Sequence, residues 1–206
     1  MRRRLVRVAC GLGLLALVGC AGKGEILPIQ IQPGLSAAVK PAQPGESLRV
    51  TVTTFEDLRQ DKNRLATRTH LWGGESYFNV PGGLPGEATA QVLADYLAAK
   101  GWQVVKPGAP DDPADVILSG KIQEVAVDAK SGVGSTKMTT KTKVAVQARN
   151  TADGSLVRMT LGGAGSDRVF WFNPEDAQTL LNEVFTESFE KLLQDTKAEH
   201  RTLRLK

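Results

Sequence analysis

Residues 137–149, KMTTKTKVAVQAR, alternate with a period of two over their whole length. Met138, Thr140, Thr142, Val144, Val146 and Ala148 fall on one side. Lys137, Thr139, Lys141, Lys143, Gln147 and Arg149 fall on the other, with Ala145 the one apolar exception. Successive side chains face opposite ways in an extended strand, so this run specifies a β-strand with one wet face. The preceding DVILSGKIQEVAVDA (115–129) alternates at Val125, Val127 and Ala129. LVRMTLGG (156–163) follows NTADGS, a turn in which Asp153-Gly154 suits positive φ. Three such runs in succession predict a meander of long antiparallel strands. Gly120, inside the earlier run, predicts a bulge that shifts the register.

The link between the first two strands, SGVGSTK (131–137), looks superficially like a phosphate-binding loop. Its spacing is wrong, because Lys137 follows Thr136 and opens a strand where a nucleotide loop opens a helix. It reads as a glycine hairpin.

Two helices accompany the strands. EATAQVLADYLAAKGWQ (87–103) places Val92, Leu93, Tyr96 and Leu97 on one face, with Gly101 positioned to end it. The second begins at NPEDAQ, with Asn173 as N-cap, Pro174 at the first helical position, and Glu175 and Asp176 facing the positive helix end. Its apolar face repeats at Ala177, Leu180, Leu181, Val184, Phe185, Phe189, Leu192 and Leu193, and Ser188 is the single miss. LRVTVTTF (48–55) and WQVV (102–105) add strands. The polar stretch 56–86 has no clear period and reads as a long loop. The expected fold is α+β: a two-layer domain with a mixed, mostly antiparallel sheet of long meander strands and two helices on one face.

The N-terminus carries Arg2, Arg3, Arg4 and Arg7, then an apolar run from Leu5 to Val18. That is the layout of a secretory signal, too short and glycine-broken to span a bilayer as a helix. Its exit, Leu17-Val18-Gly19-Cys20, resembles the lipobox of bacterial lipoproteins. The resemblance implies that the Cys20 thiol is acylated, that the chain is cut before Cys20, and that the new amino group receives a further acyl chain. One acyl chain holds a protein only marginally at a membrane and two or more hold it firmly. Cys10 falls in the discarded signal, so Cys20 has no partner for an internal disulfide. The organisation is therefore a signal peptide over 1–19, a lipidated Cys and flexible tether over 20–47, one α/β domain over 48–197, and a frayed tail over 198–206. ILPIQIQ (26–32), inside the tether, alternates weakly and could instead dock as an edge strand. The whole chain has a formal charge of +4, and losing the signal's four arginines leaves twenty-two cations against twenty-two acids. A nucleic-acid partner, which wants a clustered basic face, is not expected.

No constellation of catalytic groups stands out. FEDLRQDKNR (55–64) mixes acids with Arg and Lys, which oppose a metal, and reads as a salt-bridged loop open to a binding role. The only histidines, His70 and His200, lie far apart in the sequence. No catalytic residue, metal site or cofactor is expected. Aromatics gather at Trp72, Tyr77 and Phe78 and again at Phe170-Trp171-Phe172, where core closure and a partner's docking site are both open.

A lipobox, then LRVTVTTFEDLRQDKNR with its Asp57-Leu58-Arg59 segment, then a helix, long strands and a terminal amphipathic helix together resemble the YajG-type family of bacterial lipoproteins. The resemblance implies an envelope lipoprotein and little chemistry. Ala21 is the sorting position after the lipidated cysteine. The absence of Asp there implies export to the outer membrane, with the domain facing the periplasm. The expected role is a non-enzymatic interaction or accessory module of the cell envelope. Its expected partners are the membrane, through acyl chains, and an envelope protein or the wall. The alternative is an auxiliary lipoprotein of a lipid or lipopolysaccharide transport system, which needs an apolar groove beneath the helices. Asp57, Arg59, Trp72 and Trp171 are the candidate partner-binding residues.

Overall fold

The computed structural model describes residues 26–31, 47–108 and 113–206. The signal peptide, Cys20, Ala21 and most of the expected tether lie outside the described residues. In chain order the elements are β1 (Ile26–Pro28), β2 (Arg49–Val52), β3 (Glu56–Asp57), β4 (Ala66–Thr69), β5 (Glu75–Asn79), α1 (Pro85–Ala99), β6 (Gln103–Val104), β7 (Val116–Gly132), β8 (Ser135–Asn150), β9 (Leu156–Val169), α2 (Pro174–Asp195), β10 (Thr196–Glu199) and β11 (Thr202–Leu205). The first nine strands, β1 to β9, form one mixed sheet, and β10 and β11 pair separately. The fold is α+β, two helices with a large sheet of long strands.

The alternating runs form the expected meander: β7 pairs antiparallel with β8, and β8 with β9. On its other side β7 takes three short parallel partners end to end, β2 at Val116, β3 at Lys121 and β4 at Val127. The stretch 56–86 is therefore not a plain loop. It contains β3, β4 and β5, strands of two to five residues in which no period can accumulate. β1 pairs parallel with β5, and Ile29 and Ile31 are buried beyond it, so this part of the expected tether is docked on the sheet.

The inward side of the meander, with Leu118, Ile122, Val127, Met138 and Val144, is buried, while Lys121, Lys141 and Lys143 are exposed. α2 lies on β9 closely enough that Val184 and Leu180 abut Gly163 and Gly165. α1 and α2 meet through Tyr96 and Phe189, whose ring centroids are 5.5 Å apart. α2 starts where the sequence places it, and Asn173 and Asp176 form a reciprocal capping box. Ser188, the miss on its apolar face, is buried and donates to the Val184 carbonyl at 2.8 Å.

Two local expectations need correcting. The register shift in β7 falls between Ile122 and Glu124, not at Gly120. Gly120 instead makes room for an aromatic ring, since a Cβ there would lie 2.6 Å from Phe55. The tail 198–206 is not frayed. β10 and β11 form a hairpin whose Leu203 is buried, and the Asn150 side chain accepts from the Leu203 N–H at 2.7 Å and donates to its carbonyl at 3.0 Å. A side chain so distant in sequence carries no local signal.

Candidate functional site

Strand directions bring three turns to one end of the sheet. The β4–β5 turn, His70–Gly74, reverses through Gly73 and Gly74 at φ +85 and +87. The β7–β8 turn is Val133-Gly134, with Gly134 at φ +74. The third segment, 170–173, leads from β9 into α2. The register aligns them, because Thr69 pairs with Lys130, Lys130 with Lys137, and Lys137 with Arg168.

These turns carry large apolar side chains into solvent. Trp72 is 93% exposed, Val133 91%, Trp171 83% and Phe170 69%. Trp72 and Trp171, separated by about a hundred positions, line one cleft of about 420 Å³ with Arg68, His70 and Phe172. Phe170 and Trp171 stack edge to face at 5.3 Å between centroids. Phe172 turns inward against Phe78, and the Arg68 guanidinium lies 4.4 Å from the Phe172 ring centre. Arg68 also donates to the Ser131 hydroxyl at 3.2 Å. Burial lowers the Arg68 guanidinium from its ordinary value, and the group stays charged all the same. The aromatic segment thus divides: Phe78 and Phe172 close the core, and Trp72, Phe170 and Trp171 do not.

Asp57 and Arg59 are not part of this end. Arg59 is buried and holds Asp57 in a two-pronged ion pair, Nε to Oδ1 and Nη2 to Oδ2, both 2.9 Å. Its remaining fork donates to the Arg64 carbonyl at 2.7 Å. Burial pushes Asp57 up, and the hydrogen bonds and charge of Arg59 outweigh it, so the carboxyl rests below its ordinary value. A pair this satisfied fixes the loop after β3 and has little left to offer a partner. On the wet face, a shallow cleft of about 760 Å³ holds Glu56 paired with Lys121 at 2.9 Å and Arg158 donating to Gln147 at 2.8 Å.

Little at the aromatic end is equipped for bond-making. His70 Nε2 lies 2.8 Å from the Ser76 hydroxyl, but Ser76 is buried, so its oxygen faces no substrate. Among the described residues, no three His, Cys, Asp or Glu side chains come together to hold a metal ion. The arrangement offers aromatic faces, an apolar tip and cations. Sequence reasoning picked out Trp72 and Trp171 but missed Val133, Arg68 and the row Lys130, Lys137, Arg168. The register of β7 to β9 was the signal that could have found that row, since all three lie on neighbouring strands three positions or fewer from the turns.

A family model described as Uncharacterized lipoprotein matches residues 85–200, from α1 through β10. The chain belongs to this lipoprotein family. It is the YajG-type family that the layout of the sequence resembles. The matched span of the lipoprotein includes Trp171 and leaves out Asp57, Arg59 and Trp72. No curated protein matches it in sequence. Among solved structures it is similar to a Xanthomonas campestris protein at 9% identity, covering 83% of this chain and 92% of that one, with a TM-score of 0.49. It is also similar to a Neisseria meningitidis lipoprotein at 11% identity, covering 71% and 99%, with a TM-score of 0.38. Among the lipoprotein's described residues no helix is long and apolar enough to cross a membrane.

Proposed function

We propose that this lipoprotein is a non-enzymatic accessory module of the cell envelope, held in the outer membrane by acyl chains on Cys20 and facing the periplasm. It works by contact, and the aromatic end is its contact surface. An envelope protein, the wall or a membrane surface is what that compartment offers it. The observation that carries this reading is the convergence of Trp72 and Trp171, from distant parts of the chain, on one exposed cleft. Large exposed apolar side chains gathered in one place cost solubility and are characteristic of interaction sites. The reading includes a two-layer arrangement, with both helices on the buried face of the meander. A lipid-transport role needs an apolar groove beneath the helices. There α2 sits so close that a Cβ at Gly163 would lie 2.8 Å from Val184.

The anchor is tested directly. Cys20→Ser is expected to move the folded protein from the membrane fraction into soluble periplasmic extract and to abolish labelling by palmitate. A Cys20→Ser protein that still sediments with membranes would show that something other than acyl chains holds it. The contact surface is tested by Trp72→Ala/Trp171→Ala, which is expected to leave the lipoprotein anchored and folded while removing its crosslinks to envelope components.

A further inference from the structure

The position of β1 bears on what the aromatic end meets. β1 runs parallel to β5, and β5 begins at Glu75, directly after the turn that carries Trp72. The chain therefore enters the sheet from the aromatic end, with Ile26 beside Tyr77, two residues from the start of β5. Cys20 precedes Ile26 by six positions. Whatever path those residues take, at most ~3.6 Å per residue limits their reach to roughly 20 Å. β8 has 16 residues, so at ~3.3 Å per residue the sheet extends roughly 50 Å from end to end. An anchor at Cys20 can bring the aromatic end to its bilayer and is too short for the domain to stand on its opposite end.

Charge at this end has the matching order. Just behind the tips, Lys130, Lys137 and Arg168 stand side by side on three adjacent strands. Lys130 and Lys137 are two residue pairs from the closing pair Gly132–Ser135, about 7 Å back at ~3.3 Å per residue. Among the described residues no carboxylate forms an ion pair with any of the three, although Glu75 and Asp167 are nearby in the sheet. Tryptophans and a valine at the tip, with cations one strand-turn behind, match the depth order of a lipid leaflet, where amphipathic rings sit at the headgroup level and anionic groups attract Lys and Arg. A protein partner would explain the tryptophans but not why the anchor's short leash leads to them.

We infer that Trp72, Val133 and Trp171 seat in the interface of the same bilayer that holds the acyl chains, with the Lys130–Lys137–Arg168 row against its anionic headgroups. The domain rests on the membrane, tip down. This inference rests on the anchored reading above, and its test separates the two.

The lipoprotein has three tryptophans, and Trp102 serves as an internal control because it follows α1 beside β6, toward the far end. Acylated protein is reconstituted into vesicles of phosphatidylethanolamine and phosphatidylglycerol, with or without lipids brominated near the headgroup. In Trp102→Phe, which keeps Trp72 and Trp171, emission is expected to shift to the blue and to be quenched by the brominated lipids. In Trp72→Phe/Trp171→Phe, the emission of Trp102 is expected to be the same in both vesicles. In acyl-free Cys20→Ser protein, replacing Lys130, Lys137 and Arg168 by Gln is expected to weaken binding to the anionic vesicles on the order of a hundredfold, at about fivefold per cation. Equal Trp72 and Trp171 emission in the two vesicles overturns the inference, and crosslinking of those tryptophans to a protein in cells would then name the true occupant. Absence of palmitate labelling overturns the anchor, and quenching of Trp72 and Trp171 in acyl-free protein would still show their seating in a bilayer.

Discussion

Phe55 fits because two glycines flank it. A Cβ on Gly120 would lie 2.6 Å from its ring, and a Cβ on Gly86 would lie 2.0 Å from its carbonyl oxygen. Gly86 is in the first turn of α1, where alanine has the better intrinsic propensity, so propensity and packing oppose each other. Packing wins because the obstacle is backbone, which cannot swing aside as a side chain can. Gly86→Ala is expected to destabilise the protein by about 1–3 kcal/mol or more, read as a lowered urea midpoint with the slope unchanged. At this scale the sequence is legible in type and not in reason. Gly120 is conspicuous inside a strand, and the usual inference from such a glycine is a bulge. The true cause is a ring 65 positions away, which only the fold reveals.

Elements were readable in proportion to the length of their pattern. α2 has a cap, a proline at its first position and a repeating apolar face, and it forms as expected. β8 is legible for the same reason, repeating one rule over 16 residues, and β7 repeats it on either side of the shift between Ile122 and Glu124. β3 and β6 have two residues each, too few for any period, and exist because β7 and β2 offer them a ready edge. The C-terminal hairpin depends on one polar side chain. Asn150 is fully buried and pairs with both backbone groups of Leu203 as a neighbouring strand would, and it also donates to the Ser155 hydroxyl at 2.9 Å. Asn150→Ala would leave those buried groups without partners, at about 1–3 kcal/mol each. The expected result is faster hydrogen exchange at Leu203 and its hairpin, with α2 still protected. Equal protection in both proteins would mean that the hairpin is held by its apolar contacts alone.

On the scale of the whole molecule the two ends differ in what holds them. The end away from Trp72 and Trp171 is tied by acids to arginines. Burial would raise Asp115, and the Arg49 N–H with the side chains of Arg201 and Arg49 more than offsets it, so the group rests below its ordinary value. Asp153 is held at about 2, first by the hydroxyl and N–H of Ser155 and then by Arg204. A carboxylate lowered in the folded state contributes stability above its unfolded value of 3.8 and loses that contribution as pH falls through the folded value. The melting temperature is therefore expected to fall between about pH 4 and pH 2, with less of a fall in Asp153→Asn. A flat profile over that range would mean these ties are made equally in the unfolded chain. The aromatic end was half legible for a related reason. Tryptophans announce themselves one at a time, whereas Val133 and the cation row acquire meaning only when the strands are laid side by side.

The three long strands also set a height. With one end resting on lipid, the hairpin of β10 and β11 and the β8–β9 turn stand roughly 45–50 Å above the leaflet, given 16 residues in β8 at ~3.3 Å each. A flexible spacer gives only a range of distances. Here the stand-off is built from paired backbone, so whatever approaches the upper end finds it at one elevation and in one orientation.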